Sequence, residues 1–476
     1  MDEESQINDP LPKYFTLRSK HNDGFLRYIN ADDKTMHGFL KFSGSHVVNP
    51  FAKFEFEKAK EKSNKVLVHI RCCYNNKYLV RWSEKSKYIV ATGNELNEDK
   101  TKFSSTLFEL IYVQDRNAFC IKHVQLNRYI QLRRHSTSQF QGTLFAGSTG
   151  LENDETDLLN IIDWSTFFIL PKHVAFKGDN GKYLRVRSSG TKYLEFSGSD
   201  VGDPRVGNQI FTTYDGHIMI KNDSLEKFWI RDPNWILGEG SESDFTDRNA
   251  LFWPVQLGDG HGVALRNRGN NRFCKRLSTE GKNNCLNADA ESINAEAMLQ
   301  IEELVISRTI YDVNFRVLDA RFYDETPMTM VSSEMVNKNS EPELQRLKLQ
   351  YEDTKSSTWT NSVGMKLGMK MSIESGCPEI SSQEIEISAE FKEEYTWGET
   401  KETKSTREVE HQVTVPPYTK VIAKVLATKG FCDIPYSYTQ RDVLTNGKVE
   451  IQQFDDGIYT GSNCYNYTFS TEQEDL

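Results

Sequence analysis

The chain has 476 residues, 37 % of them hydrophobic and 26 % charged, with a formal charge of −10; single cores stop growing beyond roughly 250 residues, so about three domains are expected. The acidic balance excludes a basic nucleic-acid face, and no stretch reaches the ~18 apolar residues of a membrane helix. Eight cysteines are too sparse for a disulfide-built scaffold.

Residues 1–12 form an acidic tail without the apolar run of a secretory signal, so the protein is expected in the cytosol. An apolar-x-apolar-basic quartet then recurs as Phe15-Thr-Leu-Arg18, Val68-His-Ile-Arg71, Phe119-Cys-Ile-Lys122, Val174-Ala-Phe-Lys177, Ile218-Met-Ile-Lys221 and Val263-Ala-Leu-Arg266, with the alternation of a half-buried strand. After each quartet an aromatic heads a second short strand, at Phe25, Tyr78, Tyr129, Tyr183, Phe228 and Phe273, beyond turn residues such as Asp23-Gly24 and Asn75-Asn76. A third element closes most copies, at Phe54-Glu-Phe56, Phe108-Glu-Leu110, Phe211, Phe252 and Leu299-Gln-Ile301. The copies split three and three around the acidic segment Gly147 to Asp157. Three hairpin-plus-strand units are what a β-trefoil needs. Two tandem β-trefoils are therefore expected at 13–155 and 171–306, joined by a linker at 156–170. Tyr78, Tyr129 and Tyr183 are assigned to their cores and not to a ligand stack.

The runs Val68-His-Ile-Arg71 with Asn76-Lys-Tyr-Leu-Val-Arg-Trp-Ser83, Phe176-Lys-Gly-Asp-Asn-Gly-Lys-Tyr-Leu184, Asn234-Trp-Ile-Leu237 and Ile161-Ile-Asp-Trp164 closely resemble the amaranthin lectins, in register over residues 13–306. The resemblance implies binding of N-acetylgalactosamine or galactosyl-N-acetylgalactosamine where the first trefoil of one subunit meets the second trefoil of a dimer partner. It implies no catalysis. The loop that carries sugar contacts in the family reads Glu84-Lys85-Ser86-Lys87-Tyr88 here, with charged residues in place of the family's amide and aromatic groups before Tyr88. Trp82 and Tyr88 are candidates to face sugar C–H groups, and Ser83 and Lys85 to donate to sugar hydroxyls. Trp82 alternatively packs as a structural residue, and the matching loop Arg231 to Trp235 of the second trefoil is the alternative site.

Beyond Thr309 the repeat stops, and residues 307–476 are rich in Ser, Thr, Glu and Lys with long alternating segments, which predicts elongated strands. Every odd residue from 363 to 373 is apolar, namely Val363, Met365, Leu367, Met369, Met371 and Ile373, against Lys366, Lys370 and Ser372. A turn-like Glu374-Ser-Gly-Cys-Pro378 follows, and the parity resumes at Ile385, Ile387, Ala389 and Phe391 and continues to Tyr395 and Trp397. A tilted membrane-spanning β-strand needs roughly 9–11 residues with one lipid face and one wet face, so 362–397 is expected to be an insertion hairpin. On pattern alone an amphipathic hairpin packed on a soluble sheet is the preferred reading.

The elongated strand, the Ser/Thr-flanked hairpin and then Val409-Glu-His-Gln-Val-Thr-Val-Pro-Pro-Tyr-Thr-Lys-Val421, read as a strand with paired prolines, are together similar to the aerolysin-type pore-forming toxins. That likeness implies an all-β module and a homo-oligomeric ring, each subunit giving one hairpin to a closed barrel, because open sheet edges cannot be satisfied in lipid. The alternative is a plain lectin whose third domain only oligomerises. A glycoside-acting enzyme would need a carboxylate pair ~5–9.5 Å apart; no HExxH, GxSxG or phosphate loop occurs, and the ten histidines lack metal-ligand spacing. Neither cofactor, metal nor enzymatic activity is expected. Cys432 and Cys464 would bridge only in an oxidising space, and free buried thiols are the preferred reading.

Overall fold

Alternation of apolar and polar residues makes each of the six quartets a strand: Tyr14–Ser19, Val66–Cys72, Ala118–His123, His173–Lys177, Ile218–Asn222 and Gly262–Asn267. Their inward residues, among them Phe15, Leu17, Val68, Ile70, Val174 and Phe176, are buried in two separate cores. This computed structural model describes residues 11–29, 36–134, 139–242, 246–258, 262–361, 370–381, 384–389 and 391–476.

Each copy holds four strands where the sequence pattern suggests three. The additional strand follows the aromatic one, as in Leu40–Gly44, Ile89–Gly93, Leu144–Ser148, Leu194–Gly198, Trp235–Gly240 and Lys282–Ala290. First and fourth strands of the copies close a barrel; in the first trefoil Tyr14–Ser19 pairs with Phe54–Lys58 on one side and Leu159–Asp163 on the other. Residues 159–163, expected within a linker, are thus the last barrel strand. Their partner lies at the other end of the domain, so nothing local marks them as a strand. Second and third strands form hairpins that cap the barrel. At the capped end the bridges Phe39↔Val90, Tyr88↔Phe145 and Lys41↔Thr143 repeat the same step around the pseudo-threefold axis. In the second trefoil the same step is made by Tyr193↔Leu237, Trp235↔Asn287 and Glu195↔Cys285.

The six aromatics do not fill the cores. In every copy the hairpin register shifts beside the aromatic, between Phe25 and Leu26, Tyr78 and Leu79, Tyr129 and Ile130, Tyr183 and Leu184, Phe228 and Ile230, and Phe273 and Cys274. A bulge breaks strict alternation. The aromatic stays on the barrel's outer side, and the next residue, such as Leu26, Leu79, Ile130, Leu184, Trp229 or Cys274, enters the core. Tyr129 packs on Ala118, Cys120 and Leu158, and Tyr183 on Ala175, Val206 and Leu304, while the Tyr78 hydroxyl donates to Glu57 at 2.9 Å. Opposite each aromatic stands a small residue: Gly44, Gly93, Ser148, Gly198, Gly240 or Ala290. A Cβ at Gly44 would lie 2.9 Å from the Phe25 carbonyl oxygen, which is why the position is kept small.

The remaining module is a sheet of long strands in the order Phe391–Thr396, Lys370–Ser375, Val305–Phe315, Thr419–Leu444, Val449–Asp475, Glu343–Asn361 and Thr400–Val415, with Arg321–Asn337 also on Thr419–Leu444. Its core gathers Ile310, Phe315, Trp359, Tyr436, Tyr438 and Tyr459. Pro416 and Pro417, expected inside a strand, instead sit in the turn between two strands, followed by Tyr418 at φ 51°. Proline has no N–H for a ladder, and a paired proline is better placed outside it. All eight cysteines are free thiols, Cys432 and Cys464 included.

Candidate functional site

The capping hairpins of the first trefoil bring together an aromatic platform. Tyr88 directly precedes Ile89, and Phe39 directly precedes Leu40; the following residue of each pair is drawn into the core, which turns the preceding ring to the capped end. Phe39 meets Trp82 at 5.2 Å between ring centroids, Tyr88 meets Phe140 at 5.0 Å and Phe145 at 5.1 Å, and Trp82 lies 6.4 Å from Tyr88. Trp82 is nevertheless 51 % exposed. It packs against Phe39 and leaves the rest of its indole in solvent.

The loop between Trp82 and Tyr88 is built in advance of any ligand. The Trp82 N–H donates to the Tyr88 carbonyl at 3.0 Å, and the Ser86 N–H to the Ser83 carbonyl at 3.0 Å. Buried Arg81 reaches beneath it, donating to the Ser86 carbonyl at 3.0 Å, to Gln125 at 2.9 Å and to the Glu84 carbonyl. Ser83 and Lys85 project from the tip into solvent. The four expected residues therefore share one loop. Phe39, Phe140 and Phe145 were missed because they come from other copies of the repeat; for Phe39 and Phe145, adjacency to the core residues Leu40 and Leu144 was the available signal.

The alternative loop in the second trefoil is closed. Trp235, the counterpart of Tyr88, is buried, its indole N–H donates to Glu280 at 3.1 Å, and the Lys282 ammonium lies 4.8 Å from its ring. Arg231 is held by Asn267 and Asn234 at 3.0 and 3.3 Å.

The expected insertion hairpin is docked on its own module. Lys370–Ser375 pairs antiparallel with Phe391–Thr396, from Lys370↔Thr396 to Ser375↔Phe391, and a shorter ladder runs from Pro378↔Ile387 to Ser381↔Glu384. Of the expected turn Glu374–Pro378, Glu374, Ser375 and Pro378 are strand, with Gly376 and Cys377 between the two ladders. Met371 and Ile373 are buried against Trp359, Tyr395 and Tyr436, and Ile385 packs partly on the same core. Ile387 is 48 % exposed and Ala389 is exposed. Phe391 pairs with Ser375 through its backbone. Val363, Met365, Leu367 and Met369 lie outside the described residues.

Polar ties hold this hairpin. Buried Asn463 brackets the Ile380 backbone with two hydrogen bonds of 2.9 Å, and the Tyr459 hydroxyl donates to the Pro378 carbonyl at 3.2 Å. Lys355 pairs with Glu379, and Lys401 with Glu393, both at 2.6 Å. The Lys401 ammonium, with a hydrogen bond from Tyr395, holds the Glu393 carboxyl below its ordinary pKa, while burial raises the Cys377 thiol. Beneath lies a cavity of about 520 Å³ whose walls include Ser356, Ser357, Thr403, Ser405 and Ser462. A hairpin seated over a cavity makes fewer packing contacts than one packed flush, which keeps local opening cheap.

The two barrels with their platform and the long-stranded module with its docked hairpin together define a lectin–toxin chimera. The agglutinin domain family matches residues 9–163 and 168–303, and the aerolysin toxin family matches 304–454. The chain belongs to the agglutinin family, with an aerolysin-type pore-forming toxin domain following its two agglutinin domains. No curated protein sequence matches it. Among solved structures it is similar to the lamprey immune protein, at 13 % identity over 64 % of this chain and 91 % of the other, with a TM-score of 0.32. It is also similar to a mosquitocidal holotoxin, at 12 % identity over 65 % of this chain and 36 % of the other with a TM-score of 0.30. An aerolysin-like protein of Bombina maxima shares 13 % identity over 35 % of this chain and 99 % of its own, with a TM-score of 0.26. At these values the likenesses carry no argument about function.

Proposed function

We propose that the chain binds glycans ending in N-acetylgalactosamine or galactose through the first-trefoil platform, dimerises through its trefoils, and assembles through its toxin module into a β-barrel membrane pore. A sugar's C–H face suits Trp82 and Tyr88, and Ser83 and Lys85 supply donors at the rim. Synthesis in the cytosol, release onto a target membrane and a role in plant defence complete this reading.

One observation supports the pore most directly. The strands flanking the hairpin already pair with each other, from Glu343↔Val415 to Thr358↔Thr400. Continued in the same register past Thr358, that ladder sets Val363 opposite Tyr395, Leu367 opposite Phe391, Met369 opposite Ala389, Met371 opposite Ile387 and Ile373 opposite Ile385. The apolar stripes of both strands then fall on one face, as a lipid-facing surface requires. In the docked register Met371 faces Tyr395 and Ile373 faces Glu393, a pairing that suits a soluble core. The sequence alternation thus matches a second, extended hairpin whose turn centres near Glu379. Even positions line the lumen, where Glu374, Glu384, Glu386 and Glu390 outnumber Lys366, Lys370 and Lys392, so a slight preference for cations is expected.

Vesicles carrying or lacking an N-acetylgalactosamine-terminated glycolipid test both halves. Dye release only from the glycolipid vesicles supports the proposal; binding without release leaves a plain lectin, and release of sugar products indicates an enzyme. The pair Met371→Cys with Ile387→Cys should cross-link in membranes and not in solution. Cross-linking of the pair already in solution would place the extended register in the docked protein and remove this argument.

A further inference from the structure

Asp456 is a buried acid that neither the platform nor the apolar stripe uses. Its neighbour Gly457 pairs with Asn361 in the last rung between Glu343–Asn361 and Val449–Asp475. Asp456 therefore stands beside the last described residue before the hairpin. Its Oδ1 accepts the Tyr438 hydroxyl proton at 3.3 Å. The Asn361 side chain bonds the same hydroxyl. Trp397, immediately beyond the returning strand, lies 6.1 Å from Tyr438 between ring centroids, and Phe454 stacks on Tyr438 at 5.3 Å. Tyr438 thus touches both the entry and the exit of the hairpin.

We propose that Asp456, Tyr438 and Asn361 form an acid-closed latch that holds the insertion hairpin docked. Protonated, Asp456 is neutral and keeps its hydrogen bond with Tyr438, whose oxygen Asn361 also bonds, so no charge is buried at the base of the hairpin. Ionised, Asp456 still accepts the Tyr438 hydrogen bond but is a charge buried at the base of the hairpin, a cost that opening and hydration relieve. The function of the latch rests on the pore reading; its operation does not.

The titratable and charged groups facing Asp456 are Tyr436 and Tyr438 on one neighbouring strand, Asp455 on its own, and Arg316 after Val305–Phe315. Arg316 is engaged by Asp455 and, at 3.6 Å, by Asp319. Arg308, which acts on Tyr438, is held by Asp442 through two contacts of 2.8 Å. Burial is the largest influence and lifts the Asp456 carboxyl from 3.8 to about 6, against the hydrogen bond from Tyr438. A docked state with a raised carboxyl pKa takes up a proton as it closes. Docking is therefore strengthened as pH falls through about 6 and weakened as pH rises above it.

Hydrogen exchange of the full-length protein, followed over 370–396 and corrected for chemical exchange rate, reads the latch directly. Protection should rise roughly tenfold from pH 7.5 to pH 5, the span over which a carboxyl of pKa 6 becomes protonated. Asp456→Asn, which cannot ionise, should be equally protected at both pH values, whereas Tyr438→Phe, which removes the hydrogen bond that lowers the carboxyl, should keep a pH response with its midpoint moved upwards. Wild-type protection that is the same at pH 5 and 7.5 overturns the latch, as does a pH response that survives in Asp456→Asn. Dye release measured alongside separates the two ideas: titrating protection with no release at any pH leaves the latch standing and removes the pore.

Discussion

At the scale of single residues, exposure separates binding from stability. Trp82 leaves half its surface in water, so removing the Trp82 and Tyr88 side chains together should cost at most about 1–2 kcal/mol of stability while lowering glycan-array binding at least tenfold. Trp229 is fully buried beside Phe176 at 5.3 Å. Trp229→Ala should cost about 3–5 kcal/mol in denaturant unfolding. A buried histidine gives the first trefoil its own pH dependence: burial lowers His123 from 6.5 to about 4, with Arg81 nearby acting the same way. Since the folded pKa is depressed, the unfolded chain takes the proton first. Stability contributed by neutral His123 is complete above pH 6.5 and is lost as pH falls towards 4, by an amount on the order of 2–3 kcal/mol. His123→Asn, which keeps an acceptor for the Leu126 N–H, should flatten that part of the stability curve in thermal melts from pH 4 to 7.5.

At the scale of elements, the proposed pore gives the hairpin two environments, docked and inserted, and some positions feel only one of them. Met371→Arg would damage the docked core and the lipid stripe alike, which makes it uninformative. Ile387 is half exposed when docked and lies on the lipid face of the extended register. Ile387→Arg should leave the melting temperature and glycan binding unchanged while abolishing dye release, because an arginine at mid-membrane costs roughly 2–4 kcal/mol in every subunit of the ring. Its neighbour on the opposite face is the control. Glu386→Lys should keep release and shift planar-bilayer selectivity towards anions. Equal effects of the two substitutions on channel formation would identify the stripe as soluble packing only.

At the scale of the whole chain, the cores of the trefoils and of the toxin module are separate, and recognition is assigned to the trefoils alone. A chain ending at Ser307 should therefore fold and bind glycan arrays as the full protein does, and it should release no dye. Loss of glycan binding on that truncation, with both trefoils still melting cooperatively, would move part of the site into the toxin module.

The sequence by itself determined the periodic features: six quartets, two trefoils, elongated strands beyond Thr309, and an odd-numbered apolar stripe. Each follows from alternation between neighbours in the chain, which local sterics and burial impose. Only the tertiary structure decided what depends on residues far apart in sequence. Leu159–Asp163 is a strand because Tyr14–Ser19 needs a partner, and the aromatics leave the core because a bulge opposite a small residue turns them out. The platform exists because threefold packing carries Phe39, Phe140 and Phe145 to Trp82 and Tyr88. The hairpin shows the division most sharply. Its alternation matches the register that lipid would favour, whereas the docked register is selected by Asn463, Tyr459 and the aromatic core of its own module, because in water the apolar face must be covered by the protein itself.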